Sequence, residues 1–177
     1  MQGLHADRVL LRDAAAGDTQ VMAAALFEAV NWDGLERVTR QQLLAEPHLA
    51  HYVTGWPRPS DFGTISADNG PNARGSGDGK VLGAAWCRLF DATDPGYGYL
   101  ADDVPEVTIG VAPAHRGRGI GTALLAALID QARVRRHQAI SLSVEDGNRA
   151  RLLYERAGFT VVGRSGNSDT MRLELGR

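Results

Sequence analysis

Residues 107 to 125 read VTIGVAPAHRGRGIGTALL, and this stretch decides the fold of the chain. An apolar strand runs into a glycine-rich turn, and the turn opens a strongly amphipathic helix. Glycines let the backbone come close to a ligand, and the first N–H groups of a helix have no intrahelical acceptor. Two arginines add positive charge, so the turn is predicted to bind an anion such as a diphosphate. The residues of the turn are Arg116, Gly117, Arg118, Gly119, Ile120, Gly121 and Thr122.

Two common phosphate-binding motifs fit this turn poorly. A P-loop ends in Gly-Lys-Ser or Gly-Lys-Thr, whereas the only lysine of the chain is Lys80. A dinucleotide fingerprint requires the spacing G-x-G-x-x-G, and Thr122 stands where the third glycine is needed. The acidic pair Glu145 and Asp146 after the next strand keeps dinucleotide binding open as an alternative. About sixty residues follow the turn, however, which is too few for two βαβ halves.

The spacing Arg116, Gly119, Gly121 resembles the Q/R-x-x-G-x-G/A signature of the GNAT superfamily of N-acetyltransferases. Residues 145 to 159 read EDGNRARLLYERAGF and resemble the Asn, Ala, Leu-Tyr, Gly-Phe pattern of the same family. Together the two motifs cover residues 106 to 159, and upstream the resemblance is limited to an opening strand and a helix. The residues that match the second pattern are Asn148, Ala150, Leu153, Tyr154, Gly158 and Phe159.

The resemblance implies one α/β domain of the α+β kind over residues 1–177. Its central sheet is mixed and mostly antiparallel, with six to seven strands and helices on both faces, and its parallel fourth and fifth strands splay apart. Gly110 in the fourth strand marks either a bulge that starts the splay or a tight packing contact with a helix. The glycine-rich, polar segment at about 68–79 is expected to be a mobile hairpin loop. Hydrophobic patterning predicts strands at 8–12, 61–67, 80 or 81 to 90, 106–112, 139–144, 159–164 and 170–175, and helices at 18 or 19 to 30, 40–45, 48–53, 119–135 and 148–157.

Composition and charge limit the class of partner. A net charge of −2 argues against general nucleic-acid binding, which needs a dominant basic surface. The longest apolar runs are too short to cross a bilayer, and the first residues lack a secretory signal, so we expect no membrane partner and a cytoplasmic location. Cys87 is expected in the core. No metal site is expected, because only His48 and His51 are spaced as metal ligands could be.

The resemblance implies that acetyl-CoA is the cosubstrate. The turn at 116–122 would hold its diphosphate, and backbone groups of Ile109 and Val111 would bind the pantetheine arm. An N–H of that strand would polarise the thioester carbonyl and stabilise the oxyanion that forms on attack. Asn148 is placed near the pantetheine by the same resemblance, although a helix N-cap alone would explain this residue, and we expect both roles.

The chemistry requires a base, because the acceptor amine must lose a proton before it attacks. Glu106 is the candidate base, since the resemblance puts a carboxylate at the start of this strand in many members, and Asp102 and Asp103 are nearby substitutes. Tyr154 is the candidate acid that protonates the departing thiolate of CoA, with a buried, hydrogen-bonded aromatic as the competing interpretation. No nucleophile is well placed, so we expect direct transfer in a ternary complex.

The acceptor is the part that the sequence predicts least. Loop acids would favour a cationic acceptor, either a small-molecule or a peptide amine, although solvent screening weakens this preference. A non-catalytic sensor or scaffold that binds acyl-CoA stays open as an alternative, and the C-terminal strands leave room for a homodimer. The candidate pocket walls are Trp32, Tyr52, Trp56, Tyr97 and Tyr99, and the loop acids are Asp91, Asp94, Asp102 and Asp103.

Overall fold

A computed structural model describes residues 9–68 and 80–176 of the chain. Seven strands form one mixed sheet, and five α-helices and two short 3-10 turns connect them within these ranges. The strands are β1 (Val9–Asp13), β2 (Phe62–Asp68), β3 (Val81–Arg88), β4 (Glu106–Val111), β5 (Ala139–Glu145), β6 (Thr160–Ser165) and β7 (Ser168–Glu174). The helices are α1 (Thr19–Val30), α2 (Arg40–Ala45), α3 (Pro47–Ala50), α4 (Ile120–Val134) and α5 (Ala150–Ala157).

The strand order is β1-β2-β3-β4-β5-β7-β6. Every neighbouring pair is antiparallel except β4 and β5, which are parallel. The predicted mixed, mostly antiparallel sheet is therefore confirmed. A doubly wound dinucleotide fold needs a mostly parallel sheet, so the fold contradicts the dinucleotide alternative.

Helices cover both faces of this sheet, as predicted. Successive side chains of a strand point to opposite faces, and β3 follows this rule. Ala84 and Trp86 pack in one apolar cluster with Met22 of α1, whereas Ala85 and Cys87 pack in a second cluster with α4. Cys87 is fully buried and free, which confirms its expected place in the core. Within the two described ranges, no helix is long and apolar enough to span a lipid bilayer.

The predicted boundaries differ from the observed ones at a few places. The helix expected at 48–53 is the shorter α3, and the chain continues as tight turns in which Tyr52 N donates to Leu49 O and Val53 N donates to Ala50 O. The helix expected from residue 148 begins at Ala150. Of the loop expected at 68–79, residue 68 belongs to β2 and the other residues lie outside the described ranges.

The splay of β4 and β5 does not start at a bulge. The pairing of β3 with β4 runs through Ala84 and Gly110 without a register shift, so the bulge interpretation is wrong. A Cβ on Gly110 would lie 1.9 Å from the carbonyl oxygen of Ala25, which shows that this glycine lets α1 pack directly on the strand. β4 and β5 pair at a single position, Glu106 with Ser141, and diverge beyond it.

Candidate active site

A large open cleft lies where β4 and β5 diverge. It is bounded by β4, the C-terminal half of α1, one side of α4 along its length, the end of β5, and α5. The amide of Ala112 donates to the carbonyl oxygen of Leu82 at 2.9 Å, which makes these residues a hydrogen-bonded antiparallel pair. Because such pairs alternate, Ile109 and Val111 direct their N–H and C=O groups away from β3 and toward the gap. These backbone groups of β4 therefore face the gap, and one of them, the Val111 carbonyl, already accepts a hydrogen bond from Arg116.

The turn before α4 has the geometry of an anion-binding helix start. Gly117 and Gly119 have φ values of 73° and 79°, in the left-handed region that side chains disfavour, and Gly119 is the N-cap. The first helical hydrogen bond runs from Ala123 N to Gly119 O at 3.0 Å. The amides of Ile120 and Thr122 precede that bond and have no intrahelical acceptor, so this turn presents free donors at the positive end of the helix dipole.

The structure corrects the expected role of the Arg116 side chain. Its Nε donates to Val111 O at 3.0 Å, and its Nη1 donates to Trp32 O at 3.0 Å. Its Nη2 lies 3.0 Å from Glu28 Oε2, which neutralises the charge that was expected to face an anion. Arg116 therefore fastens the turn to β4 and to the end of α1, and its side chain is not a free cation beside the amides.

The other predicted cofactor-binding residues fall into distinct positions. Arg118 is exposed and does not line the cleft, and the side chain of Ile120 is buried in the α4 core, which leaves only its amide for a ligand. Thr122 and Asn148 line the cleft. Asn148 Oδ1 accepts a hydrogen bond from Ala150 N at 2.9 Å, but the N-cap of α5 is Arg149, so Asn148 lies one residue before the expected cap position.

Glu106 lines the cleft, and its carboxyl group is buried, which is unusual for an acid. Its side chain is almost completely buried, with 3% of the residue exposed. Oε1 accepts hydrogen bonds from Tyr52 OH at 2.7 Å and from Gly98 N at 2.9 Å. Oε2 is buried and has no hydrogen-bond partner among the described residues. Burial raises the pKa of Glu106 to about 7, opposed by the two hydrogen bonds, so this carboxyl can exchange a proton near neutral pH.

The two substitutes for Glu106 are not in a position to replace it. Asp102 and Asp103 are exposed and do not line the cleft, and Asp102 accepts a hydrogen bond from Tyr99 OH. Strand β4 carries Glu106 inward, whereas the aspartates lie on the loop that precedes it. Their position therefore favours Glu106 over both aspartates as the base.

Tyr154 lines the cleft from α5. It is buried and its ring packs against Phe159, with 5.9 Å between the ring centroids. Burial raises the pKa of the Tyr154 phenol. Within the described ranges its hydroxyl makes no hydrogen bond. The competing interpretation, a buried tyrosine with a hydrogen-bonded hydroxyl, therefore lacks the contact on which it depends. The hydroxyl stays protonated at neutral pH.

Only part of the predicted acceptor pocket is assembled. Trp32, Tyr52 and Tyr97 line the cleft, whereas Trp56 and Tyr99 do not. Trp56 is buried elsewhere and donates from Nε1 to Ala15 O at 3.0 Å. Aromatic residues could be identified in the sequence as candidates, but their assignment to one wall needs the tertiary structure.

The acids that face the cleft are not the loop acids that the sequence suggested. The four loop acids are exposed and lie outside the cleft, and Asp94 pairs with His51 at 2.8 Å. Asp33 and Glu145 line the cleft instead. Among the described residues, no cluster of histidine, cysteine and acidic side chains is arranged to hold a metal ion.

A polar bridge spans the cleft from the end of α1 to the end of β5. Glu145 Oε2 accepts from Trp32 Nε1 at 2.9 Å and from Arg37 Nη1 at 2.7 Å. The Arg37 guanidinium also pairs with Asp33 and lies 5.3 Å from the centre of the Trp32 ring. Residues more than 100 positions apart in the chain form this bridge, so no local pattern could have predicted it. The bridge also occupies the carboxylate that a dinucleotide ribose would have required.

Known proteins resemble this chain in sequence. The sequence model of the Acetyltransferase (GNAT) family matches residues 41–159. A ribosomal protein bS18-alanine N-acetyltransferase from Haemophilus influenzae is 30% identical over 139 residues, or 77% of this chain and 80% of that protein. A mycothiol acetyltransferase from Beutenbergia cavernae is 40% identical over 87 residues, which make up 49% of this chain but only 26% of that longer protein.

Solved structures resemble the whole fold. The putative acetyltransferase yncA from Salmonella typhimurium, solved with its cofactor acetyl-CoA, has a TM-score of 0.63 and 25% identity, with 96% of this chain and 95% of that chain covered. A phosphinothricin acetyltransferase from Sinorhizobium meliloti, in complex with acetyl-CoA, has a TM-score of 0.64 at 20% identity, with 95% and 89% covered, and shows the fold alone. The family match spans more than half of the chain and agrees with the splayed sheet and the glycine turn. The chain therefore belongs to the GNAT family of acetyltransferases.

Proposed function

We propose that this protein is an N-acetyltransferase that moves the acetyl group of acetyl-CoA to a primary amine by direct transfer in a ternary complex. One observation carries the proposal: Glu106, the free backbone groups of β4 and the N-terminus of α4 line a single cleft. The bS18-alanine N-acetyltransferase relative and the acetyl-CoA in the yncA structure support the same chemistry.

Acetyl-CoA is assigned to the cleft by matching its chemistry to the lining. The diphosphate would accept hydrogen bonds from the amides of the turn at 117–122, where the helix dipole favours negative charge. The pantetheine amides would pair with the N–H and C=O groups of Ile109 and with the N–H of Val111, whose carbonyl oxygen already accepts from Arg116, as an added strand pairs with a sheet edge. Asn148 lies on the opposite side of the cleft, where it would contact the same arm.

The transfer step divides between two side chains and one strand. Glu106 takes a proton from the amine, directly or through a water, and the nitrogen attacks the thioester carbon. The C–N bond forms as the C–S bond breaks, and an N–H of β4 stabilises the oxyanion between these events. Tyr154 gives a proton to the departing sulfur and regains one from solvent, and solvent takes up both the second proton of the amide nitrogen and the proton that Glu106 accepted. The products are an N-acetylated amine and CoA.

Direct transfer is favoured because, in the described part of the chain, no cysteine lines the cleft to form a covalent intermediate. Cys87 is the only cysteine of the chain, and it is fully buried on the α4 side of the sheet, away from the cleft. Burial also raises the pKa of its thiol, so the reactive thiolate is disfavoured. Intact-mass analysis after mixing with acetyl-CoA is expected to find no acetylated enzyme, and an acetyl group trapped on the chain would contradict this.

The acceptor side of the cleft suits an amine on an apolar stem. Glu106 lines this part of the cleft together with the aromatic residues Tyr97 and Trp32 and with apolar side chains of α1 and α3. A small-molecule or peptide amine would fit this arrangement. The apolar residues that line this side are Leu26, Ala29 and Val30 of α1 and Leu49 of α3. The homodimer and the cytoplasmic location stay predictions.

The test is a thiol-release assay with acetyl-CoA and a panel of amines. The panel holds peptide N-termini, amino acids, polyamines and aminoglycosides, and Glu106→Gln serves as the matched variant. We expect amine-dependent thiol release with one class, abolished or strongly reduced by Glu106→Gln. Tight binding of acetyl-CoA without thiol release for any amine would favour the sensor or scaffold alternative instead.

A further inference from the structure

The Glu106 carboxylate is held by groups from two segments outside its own strand. Tyr52 OH donates to Oε1 at 2.7 Å and accepts from Tyr97 N at 2.7 Å. Gly98 N donates to the same oxygen at 2.9 Å. Tyr52 lies in the turns after α3, and the other donor lies in the loop before β4. One hydroxyl therefore connects the carboxylate to both segments.

The loop before β4 closes tightly around this carboxylate. A Cβ on Gly96 would lie 2.0 Å from Glu106 Oε2, and a Cβ on Gly98 would lie 2.5 Å from the carbonyl carbon of Leu142 on β5. No side chain fits at either position without displacing the carboxyl group or β5. The two glycines therefore let the loop pack directly against the Glu106 carboxylate and β5, which restricts the position of the carboxylate.

Contacts at its ring and at its backbone carbonyl hold Tyr52 in place. Only 5% of the residue is exposed, and its ring packs edge-on against Phe90 at 5.0 Å and against His51 at 4.7 Å between centroids. Its carbonyl oxygen accepts a hydrogen bond from Trp86 Nε1 at 3.0 Å. The hydroxyl is therefore held in place before any substrate binds, and its position is set by packing rather than by the carboxylate.

We propose that Tyr52 is a positioning residue for the general base: its hydroxyl holds Glu106 Oε1 and so fixes the carboxyl group that takes the proton of the acceptor amine, directly or through a water. The inference rests on the proposed function, because it assigns a partner to the base of that reaction. A hydroxyl that donates to a carboxylate favours the ionised form, so Tyr52 also keeps the buried base charged near neutral pH.

The test is Tyr52→Phe in the full chain, because phenylalanine keeps the ring and removes only the hydroxyl. Loss of a hydrogen bond to the charged carboxylate raises the pKa of Glu106, by about one unit. The acidic limb of the kcat/KM profile then moves to higher pH by about one unit, which lowers kcat/KM about fivefold at pH 7 and less than twofold at pH 9. The acceptor amine also changes its protonation over this pH range. This affects kcat/KM of the variant and of the wild type equally, so it cancels in their ratio.

Two variants separate positioning from a merely structural effect. Tyr99→Phe removes an exposed hydroxyl that bonds Asp102 outside the cleft, so its pH profile is expected to match the wild type. In the Glu106→Gln background, which lacks the titrating carboxyl, Tyr52→Phe is expected to cause no further loss of the residual rate. A purely structural role of Tyr52 would lower the melting temperature and leave the acidic limb where it is.

A second readout works without any acceptor. Infrared difference spectra between the wild type and Glu106→Gln follow the protonated carboxyl of Glu106 as pH changes, and Tyr52→Phe is expected to move that titration upward. If the wild type acetylates no amine, the proposed function fails, while the titration still tests the link from Tyr52 to Glu106. An unmoved acidic limb together with an unmoved carboxyl titration in folded Tyr52→Phe would overturn the inference.

Discussion

Replacement of Glu106 with glutamine is expected to have two separate effects. It removes catalysis, and it removes a loss of folding stability that depends on pH. The carboxyl is buried, and one of its oxygens has no partner among the described residues. Burial raises its pKa from 4.5 to about 7. The folded state therefore binds more protons than the unfolded state between these values, so the stability present below about pH 4.5 is lost as pH rises through 7.

The size of this stability change follows from the pKa values of Glu106 in the unfolded and folded states. A difference of about 2.5 units at ~1.36 kcal/mol per unit corresponds to about 3 kcal/mol of unfolding free energy. Glutamine has no charge to bury, so this part of the pH dependence disappears in the variant. Its amide nitrogen would be a buried donor without an acceptor, at a cost of ~1–3 kcal/mol that does not vary with pH. The slope with pH, rather than the stability at one pH, is therefore the decisive quantity.

The assay is urea unfolding from pH 4.5 to pH 8.5 of the wild type, Glu106→Gln, and the control Glu36→Gln. Glu36 is exposed, so its replacement is expected to leave the pH dependence unchanged. The free-energy difference between Glu106→Gln and the wild type is expected to change by about 3 kcal/mol over this range. The same variant is expected to lose ~10²-fold or more in kcat. Parallel stability curves for the wild type and Glu106→Gln, or a full rate in the variant, would refute this reasoning.

Three further variants test other parts of the cleft. Tyr154→Phe is expected to lower kcat while calorimetry finds the affinity for acetyl-CoA nearly unchanged, and full turnover in this variant would remove Tyr154 from the mechanism. Gly119→Ala forces a side chain to a φ of 79°, so we expect a loss of ~1–2 kcal/mol in stability and weaker binding of acetyl-CoA, measured by thermal shift; unchanged binding would argue against the turn as the diphosphate site. Trp32→Phe removes the indole donor to Glu145, and we expect a higher KM for the amine at constant affinity for acetyl-CoA; an equal loss in both would assign the bridge to the cofactor instead.

The sequence could predict the parts of this protein that depend on local patterns. The glycine spacing of the turn and the apolar face of α4 are readable because helix starts and helical periodicity are set by neighbouring residues. The strand that carries Glu106 is likewise marked by its own apolar alternation and by the turn that follows. The mixed sheet and the location of the cleft were implied by the family resemblance that these features carry.

The contacts that tune the site were not predictable, because they join residues far apart in the chain. Arg116 looked like a ligand for an anion, but Glu28 at the end of α1 already neutralises it. Tyr52 was one aromatic among several until the fold placed its hydroxyl on Glu106. Gly110 fitted a bulge as well as a packing contact, and the unbroken register with β3 and the position of α1 decide between them.

The most direct test of the account is a crystal structure of the protein with acetyl-CoA. We expect the diphosphate within hydrogen-bond distance of the amides at the start of α4, the pantetheine arm paired with Ile109 and Val111, and the thioester beside Glu106. A diphosphate bound at any other site, or a pantetheine arm outside the gap between β4 and β5, would contradict it.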